Sequence, residues 1–435
     1  MVTELSSNDA RPHIVIVGGG FGGVNAAKEL GNSEGCRVTM IDRRNHHLFQ
    51  PLLYQVAMAG LDPSDIASPI RTILSRYENT STLLGDVTEV NLENRCIHTE
   101  SGCIAYDYLI LACGAGVKYF GHDGWEPFAP GLKTIPQATE IRRRVLSAFE
   151  RAEGMTDTEE QSRQLTFVIV GGGPTGVELA GAISEMANKT LRRDFKNIDP
   201  ASARVVLIEG GDRVLSSFDT KLSDYAKKAL ETLGVQVRLG EQVSEISHDG
   251  VLLGQEWIPS ATVIWAAGVK PSSLGRKAGL QCDRSGRVLV EDSMAVPNHS
   301  NVFVIGDMAA ASDVDGKPLP GVAPVAVQQG RYVGKLIRDE IKDGIEVEQR
   351  KPFRYFDKGQ MATIGRRRAV LQSGKLRLTG TIAWLGWLFI HIVYLNGMRN
   401  RLFVFLSWAW SYVLFSRGAR LIVSKDWRQV QQTGT

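Results

Sequence analysis

The sequence predicts an α/β protein of two Rossmann-like dinucleotide-binding units, the second inserted in the first, followed by a C-terminal pair of amphipathic helices, and three observations carry that prediction. A β-branched run followed at once by a glycine-rich turn and a helix-like stretch occurs twice, at residues 13–30 and again at 167–187. Each copy leads on to a second apolar run that ends in an acid. From Arg350 onward the character of the chain changes: 15 Lys+Arg stand against two acids, about +13, which leaves about −10 for the rest, and five of the eight tryptophans lie in this tail. An internal repeat of a strand-turn-helix unit is the strongest of the three, because it sets the architecture before any single residue is interpreted.

In the first copy His13-Ile14-Val15-Ile16-Val17 runs into Gly18-Gly19-Gly20-Phe21-Gly22-Gly23; in the second Phe167-Val168-Ile169-Val170 runs into Gly171-Gly172-Gly173-Pro174-Thr175-Gly176. Both turns read G-x-G-x-x-G. The first glycine (Gly18, Gly171) permits the tight turn, the second (Gly20, Gly173) lets backbone amides approach a pyrophosphate, and the third (Gly23, Gly176) lets the helix pack closely on the strand. The helix N-terminus then presents partial positive charge to the phosphates. The next apolar run ends in Asp42, 24 residues after Gly18, and in Glu209, 38 residues after Gly171. The usual separation is about 20, so the longer one predicts an extra helix near residues 189–198. An acid there accepts the ribose hydroxyls and repels a 2′-phosphate, which favours NADH over NADPH at Glu209; Arg213 close by is the one residue that argues the other way. The plainer alternative, two surface acids at strand ends, requires the same coincidence twice.

Residues 154–164 are polar and acidic and lead into the second unit, and a late strand, Val302-Phe303-Val304-Ile305, runs into Gly306-Asp307. This order predicts a first domain at 1–120 and 290–350, an inserted domain at 121–289, and a separate C-terminal region at 351–435. Two dinucleotide sites on one chain have a chemical reason, since a nicotinamide must meet a carrier that accepts a hydride, and FAD is such a carrier. Gly306-Asp307 resembles the second FAD fingerprint of two-dinucleotide-binding flavoproteins, where the Asp takes a ribityl hydroxyl. Leu109-Ile110-Leu111-Ala112-Cys113-Gly114 and Val263-Ile264-Trp265-Ala266-Ala267-Gly268 match that superfamily's crossover segments, with Cys113 and Ala267 where Thr is frequent. The N-terminal site is therefore assigned to FAD, with Gly18, Gly20, Phe21, Gly22, Gly23, Asp42, Val87, Ala112, Gly114, Gly306 and Asp307 as binding residues, and the internal site to NADH, with Gly171, Gly173, Gly176, Glu209 and Gly268.

At this point the chain resembles the type II, non-proton-pumping NADH:quinone oxidoreductases. The resemblance rests on His46-His47-Leu48-Phe49-Gln50-Pro51-Leu52-Leu53-Tyr54-Gln55, on the second glycine turn continued through Val177-Glu178, on Ala323-Pro324-Val325-Ala326-Val327-Gln328-Gln329, and on Phe356-Asp357-Lys358-Gly359 with Met361-Ala362-Thr363-Ile364-Gly365. It implies that Glu178 lies beside nicotinamide and flavin, that Ala323, Gln328 and Gln329 border the flavin and quinone site, and that Gln55 and Lys358 contact the flavin. Where the family's segment has Gln this chain has Pro324, which offers a quinone no side-chain hydrogen bond. His46 and His47 are read as structural.

The reaction this predicts is hydride transfer from NADH to FAD and two electrons onward to a quinone. Hydride passes between stacked rings without a proton-carrying side chain, so positioning dominates the first half. Quinol formation needs two protons, which Glu178 or water can relay, with Gln328 and Gln329 as further catalytic candidates. A helix carboxylate after a glycine turn can equally serve only the helix dipole. The five cysteines, Cys36, Cys96, Cys103, Cys113 and Cys282, form no Cys-x-x-Cys pair and show no zinc-like His spacing, so they are read as small buried hydrophobes and no metal is expected. Disulfide and sulfide:quinone reductases of the same fold require redox cysteines that are not evident here.

At 435 residues, 43% hydrophobic and 22% charged, the chain is an ordinary globular one rather than a disordered one. Met1 to Pro12 is short and polar, without a secretory core or an Arg-rich presequence, which predicts a cytoplasmic-facing protein. In the tail, residues 382–395 and 402–415 are apolar but shorter than the ~20 a spanning helix needs. They predict a monotopic membrane anchor on the inner face of a cell membrane, with Trp and Tyr at headgroup depth and Arg399, Arg401, Arg417 and Arg420 attracting anionic lipid. A buried helical pair or a homodimer interface is the alternative. The apolar runs between the basic residues argue for lipid rather than nucleic acid. Rival readings are a ferredoxin or sulfide:quinone reductase of the same fold and a low-turnover NADH-sensing flavoprotein.

Overall fold

The computed structural model describes residues 10–414 and 418–423, so Phe415, Arg417 and Trp427 of the tail, and the first nine residues, lie outside the described residues. The chain divides into two units, each assembled from three separate stretches.

The first unit takes the chain up to Leu48, Ala67–Gly116 and Val269–Asp357. Its six-stranded sheet runs in the order Ala295–Val296, His299–Val304, Tyr108–Leu111, His13–Val17, Arg37–Asp42, Thr80–Leu84. All neighbours pair parallel except the first two strands. The unbroken apolar run His13–Val17 lies near the middle and is buried along its whole length, as a strand covered on both faces must be. The strand His299–Val304 returns to the sheet after the long excursion of the chain, which is what insertion of one unit in another means. Helices Phe21–Leu30 and Ala323–Asp343 pack on one another at Gly22 and Gly330. An antiparallel meander, Val87–Asn91, Cys96–Thr99 and Gly102–Ala105, completes the unit.

The second unit takes Phe49–Ile66, Val117–Gly268 and the chain from Lys358 onward. Its parallel sheet runs Val235–Leu239, Arg204–Glu209, Thr166–Val170, Thr262–Trp265, the order of four strands of the first sheet repeated. It carries its own antiparallel meander, Val243–Ile246, Gly250–Leu253 and Glu256–Pro259. The α/β duplication expected from the sequence is therefore present down to the strand order.

Three boundaries differ from the expected ones. Residues 269–289 belong with the first unit, because Val288 pairs with Ala309. Residues 49–66 belong with the second, where the buried Arg142 of helix Ile135–Glu153 donates through Nε to Val56 O (2.7 Å) and through Nη2 to Leu61 O (2.7 Å). The C-terminal region is not a separate appendage: the antiparallel strands Gln360–Gly365, Arg368–Ser373 and Leu376–Thr379 belong to the second unit, with helix Gly380–Tyr394 packed on them. The extra helix expected near 189–198 is also absent. Helix Pro174–Glu185 instead continues through one π-type turn, Met186–Thr190, and the chain then stays irregular. The carboxylate of Glu153 accepts the backbone N–H of Lys196, Asn197 and Ile198, which satisfies amides that a helix would have used.

Candidate functional site: two glycine turns and a buried acid

At the first turn Gly18 sits at φ +108°, and its N–H donates to Ile41 O at 2.8 Å. A Cβ there would stand 2.4 Å from Ala112 O, and one at Gly23 would stand 1.9 Å from Gly18 O, so the turn closes only with glycine at both positions. A Cβ at Gly20 would meet nothing within 4 Å: that face of the turn is open. Asp42 uses both carboxylate oxygens on the backbone, Oδ2 accepting from Gly19 N–H (2.6 Å) and Oδ1 from Arg44 N–H (2.7 Å). A cavity of about 500 Å³ opens beside it, lined by Gly18, Asp42, Val87, Cys113 and Ser272 among others.

His47, read from the sequence as merely structural, belongs to this turn. Its Nδ1 lies 3.0 Å from Gly19 O and its ring meets Phe21 edge-on at 5.0 Å. Burial lowers its pKa to about 4, so the ring is neutral at pH 7. With the Nδ1 proton assigned to the bond with Gly19 O, Nε2 is a buried acceptor without a partner among the described residues. The open face at Gly20, the cavity and this orphaned acceptor together fit a dinucleotide rich in hydroxyls, as FAD is. The fingerprint Gly306-Asp307 joins the same unit: Gly306, at φ +70°, donates its N–H to Oε1 of Gln329 at 2.7 Å. A Cβ at Gly306 would stand 3.5 Å from Ala326 Cβ, and one at Gly22 3.4 Å from Ala326 O. The first turns of helices Phe21–Leu30 and Ala323–Asp343 thus converge around Gly22, Gly306 and Ala326. Pro324 lies in the first turn of the second of these helices, where a missing N–H is no loss.

The second turn repeats the first. Gly171, at φ +113°, donates to Ile208 O at 2.7 Å, and a Cβ at Gly176 would stand 1.8 Å from Gly171 O. Glu209 accepts from Gly172 N–H through Oε2 (2.6 Å) and from Gly211 N–H through Oε1 (2.7 Å). Gly173 faces open space, as Gly20 does. Gly114 and Gly268, which end the two crossover segments, both take positive φ, +66° and +91°. Arg213 is engaged elsewhere, on Thr220 Oγ1 (2.7 Å) and Ser216 O (2.9 Å).

Glu178 lies in helix Pro174–Glu185, one turn in. Part of its side chain reaches the surface, but protein surrounds the carboxyl, and this burial pushes its pKa well above the usual carboxylate range; the backbone N–H of Thr363 opposes the shift. The contact depends on Gly181, where a Cβ would stand 1.7 Å from Ile364 O. Two segments far apart in sequence, 171–178 and 361–365, are thereby brought together, and Gly181 is the residue that sequence reading missed.

Other expected site residues are engaged differently. Gln329 is buried, with Nε2 3.7 Å from Met294 Sδ in addition to its bond to Gly306, and Gln328 exchanges two 3.0 Å bonds with the backbone of Phe356. Both expected catalytic amides hold backbone instead of standing free. Gln55, expected at the flavin, belongs to the second unit, where Nε2 donates to Tyr54 Oη (2.9 Å) and Oε1 accepts from Trp408 Nε1 (2.7 Å). Lys358 donates to Tyr394 Oη at 2.8 Å. Cys113 is pushed up to about 12 by burial, and its thiol faces Val17 O at 3.5 Å; Cys282 faces Leu280 O at 3.4 Å. Cys113 therefore holds no thiolate at pH 7.

The tail helices Gly380–Tyr394 and Met398–Leu414 correct another expectation. Trp384, Trp387 and Trp408 do not point outward: they are buried, with Trp387 between Tyr54 (6.4 Å) and Trp408 (5.5 Å). The outward faces carry Ile382, Leu385, Phe389, Phe405 and Trp410, each more than half exposed. Arg420 is paired with Asp194 and Arg401 donates to Leu395 O, whereas Arg399 lies over the ring of Phe403. Among the described residues no helix is long and apolar enough to cross a membrane.

Residues 12–330 match the family model described as pyridine nucleotide-disulphide oxidoreductase. The chain is 42% identical to a type II NADH:quinone oxidoreductase of Mycobacterium tuberculosis over 97% of its own length and 93% of that protein's. It is 33% identical to an internal alternative NAD(P)H-ubiquinone oxidoreductase of Arabidopsis thaliana mitochondria, over 93% and 84% of the two chains. Among solved structures, NDH2 of Plasmodium falciparum in complex with NADH superposes with a TM-score of 0.86 at 21% identity, covering 95% of this chain and 100% of that one, a likeness of fold.

Proposed function

The chain belongs to the type II NADH:quinone oxidoreductases of the pyridine nucleotide-disulphide oxidoreductase family, and from that premise we propose how its own residues divide the work of an FAD-dependent NADH:quinone oxidoreductase. FAD, when bound at the first turn, supplies the two-electron relay between NADH and quinone. Gly18, Gly20 and Gly23 shape its pyrophosphate seat, Asp42 takes its ribose, and His47 keeps the turn closed while offering Nε2 as an acceptor. Gly171, Gly173 and Gly176 do the same for NADH at the second turn, with Glu209 on the adenosine ribose. Gln329 and Gln328 are positioning residues: one fixes Gly306 beside Asp307, the other the irregular segment at Phe356.

The observation that carries the chemical assignment is the buried carboxyl of Glu178. A carboxyl whose pKa is raised by burial holds its proton to higher pH than an exposed one and can donate it when quinol forms, which no neighbouring amide can do. The test uses purified holoenzyme, NADH and a short-chain quinone, following the nicotinamide and flavin absorbance. Wild-type flavin bleaches with NADH and recovers with quinone; bleaching without recovery excludes quinone reduction and leaves the NADH sensor. In Glu178→Gln we expect bleaching to persist and quinone turnover to fall roughly 100-fold, the scale of general acid catalysis. Wild-type turnover should decline as pH rises through the raised pKa, because the proton is then lost, and the variant should lack that decline. An unchanged rate in the variant removes Glu178 from the mechanism.

We further propose that the outward faces of the two tail helices lie in the interfacial layer of a membrane, where quinone is dissolved. Leu385, Phe389 and Phe405 are the residues to change, since truncation at Ile382 would also remove the buried Trp387 and Trp408. Their replacement by Ser should release the protein from vesicles in flotation while leaving flavin bound. If instead the variants float unchanged and a dimer dissociates in sedimentation, the faces bind a second copy of the chain.

A further inference from the structure

The antiparallel meander of the first unit gathers three groups that the function described above does not use. In its register His98 stands opposite Cys103 on one side and Glu89 on the other, so Glu89, His98 and Cys103 form one row across three strands. Cys96 lies two residues from His98 on the same strand and hence on the same face. The alternate residues Val90, Ile97 and Ile104 point the other way, into the hydrophobic core. The ligand atoms of Cys96, His98 and Cys103 all lie within 4.8 Å of one another, and Cys96 Sγ is 3.7 Å from His98 Nε2.

These separations suit a metal. Zinc bonds of about 2.3 Å to sulfur and about 2.1 Å to nitrogen place tetrahedral ligand atoms about 3.6–3.8 Å apart, so one pair is already at that spacing and the others need to close by no more than about 1 Å. Two sulfurs and an imidazole select a thiophilic cation over Mg²⁺ or Ca²⁺, which prefer oxygen. We infer that Cys96, His98 and Cys103 bind one thiophilic divalent cation, zinc by preference, with the fourth position on the side of the exposed Glu89.

Sequence spacing hid this site, because Cys-x-His-x₄-Cys matches no common zinc pattern and becomes a cluster only when the hairpin register sets His98 opposite Cys103. All five cysteines are free. A cation bound by thiolates displaces their protons and so binds more weakly as pH falls. Strand Val87–Asn91 begins at a residue of the cavity beside Asp42, so the meander that would hold the ion also contributes to that cavity's wall.

The test titrates chelator-treated holoenzyme with Zn²⁺ against a chromophoric competitor, and with Co²⁺ as a spectroscopic probe. We expect one equivalent bound per chain, release of about two protons, and with Co²⁺ both thiolate charge-transfer and intense tetrahedral bands. His98→Gln and Cys103→Ser change partly buried residues and should retain normal flavin spectra while weakening Zn²⁺ at least 100-fold. Absence of the cobalt–thiolate band, wild-type affinity in either variant, or a Cys96–Cys103 disulfide in protein kept under reductant would overturn the site.

Discussion

The two glycine turns are the same device set in different surroundings. In each, the first glycine donates to the carbonyl just before the strand-end acid of the neighbouring strand, at 2.8 and 2.7 Å, and the next amide donates to that acid at 2.6 Å. The acid's other oxygen takes an amide two residues further on at 2.7 Å in both. What differs is what has been brought against them. The first turn is held from outside by His47 and joined by Gly306 under Gln329, the second by strand Gln360–Gly365, which approaches helix Pro174–Glu185 at Gly181 and reaches Glu178. Binding a pyrophosphate is a local problem and is solved twice the same way; redox chemistry is specific, and its parts come from distant segments.

The sharpest way to break this comparison is to make the same change in both turns. Gly23→Ala and Gly176→Ala each force a Cβ to within 2 Å of a backbone oxygen, at 1.9 and 1.8 Å, so the turn itself must move. At a cost of about 1–3 kcal/mol for such overpacking, Gly23→Ala should purify largely free of flavin. Gly176→Ala should keep its flavin and show an NADH KM raised on the order of 10- to 100-fold. Absorbance of the purified proteins and steady-state kinetics measure both. The reverse pattern would exchange the two cofactor assignments.

A smaller effect sharpens the role of the acids. Glu209→Gln removes the negative charge and one of two backbone bonds, worth about 1.5–3 kcal/mol for a charged acceptor. The kcat/KM for NADH should fall roughly 10-fold or more, that for NADPH much less, because the repulsion of a 2′-phosphate is lost with the charge. Asp42→Asn should leave this ratio unchanged and lower flavin retention instead. If Glu209→Gln leaves the ratio of NADH to NADPH turnover as it was, Arg213 or another residue sets the choice.

These contrasts also explain what could be read in advance. The turns and both acids follow from spacing within about 40 residues, and the sequence carried them in full; the strand order was not read from it. Gly181 and His47 escaped because their meaning depends on Ile364 and Gly19, contacts set by tertiary packing. Gln55, Gln328, Gln329 and Lys358 were named by resemblance, which marks a position as needed without saying for what; their partners are Trp408, Phe356, Gly306 and Tyr394. The tail's tryptophans were assigned to lipid on composition alone, whereas the fold buries three of them and leaves Ile382, Leu385 and Phe389, spaced along one helical face, to the outside. The irregular stretch after Thr190 was invisible because Glu153, more than 40 residues earlier, supplies its hydrogen bonds.

The smallest effect tests the outer support of the first turn, which the second turn lacks. His47 is neutral in the folded protein, with its pKa lowered from 6.5 to about 4 by burial, while in the unfolded chain it titrates at its ordinary value. The unfolded state therefore binds more protons between those two values. The stability contributed is complete above pH 6.5, declines as pH falls and is gone below about pH 4; at 1.36 kcal/mol per unit its full extent is on the order of 3 kcal/mol. His391 in the second unit carries a similar shift, to about 4, through burial against Trp387, so the wild type loses both contributions over the same window. Replacing His47 by Gln removes one of the two. Thermal unfolding of the holoenzyme from pH 7 to pH 4 should then show the variant less stable at pH 7 but losing stability less steeply on acidification, so that the curves approach one another. Curves that fall in parallel would mean that His47 titrates as it does in water, and that the first turn, like the second, stands without a neutral imidazole behind it.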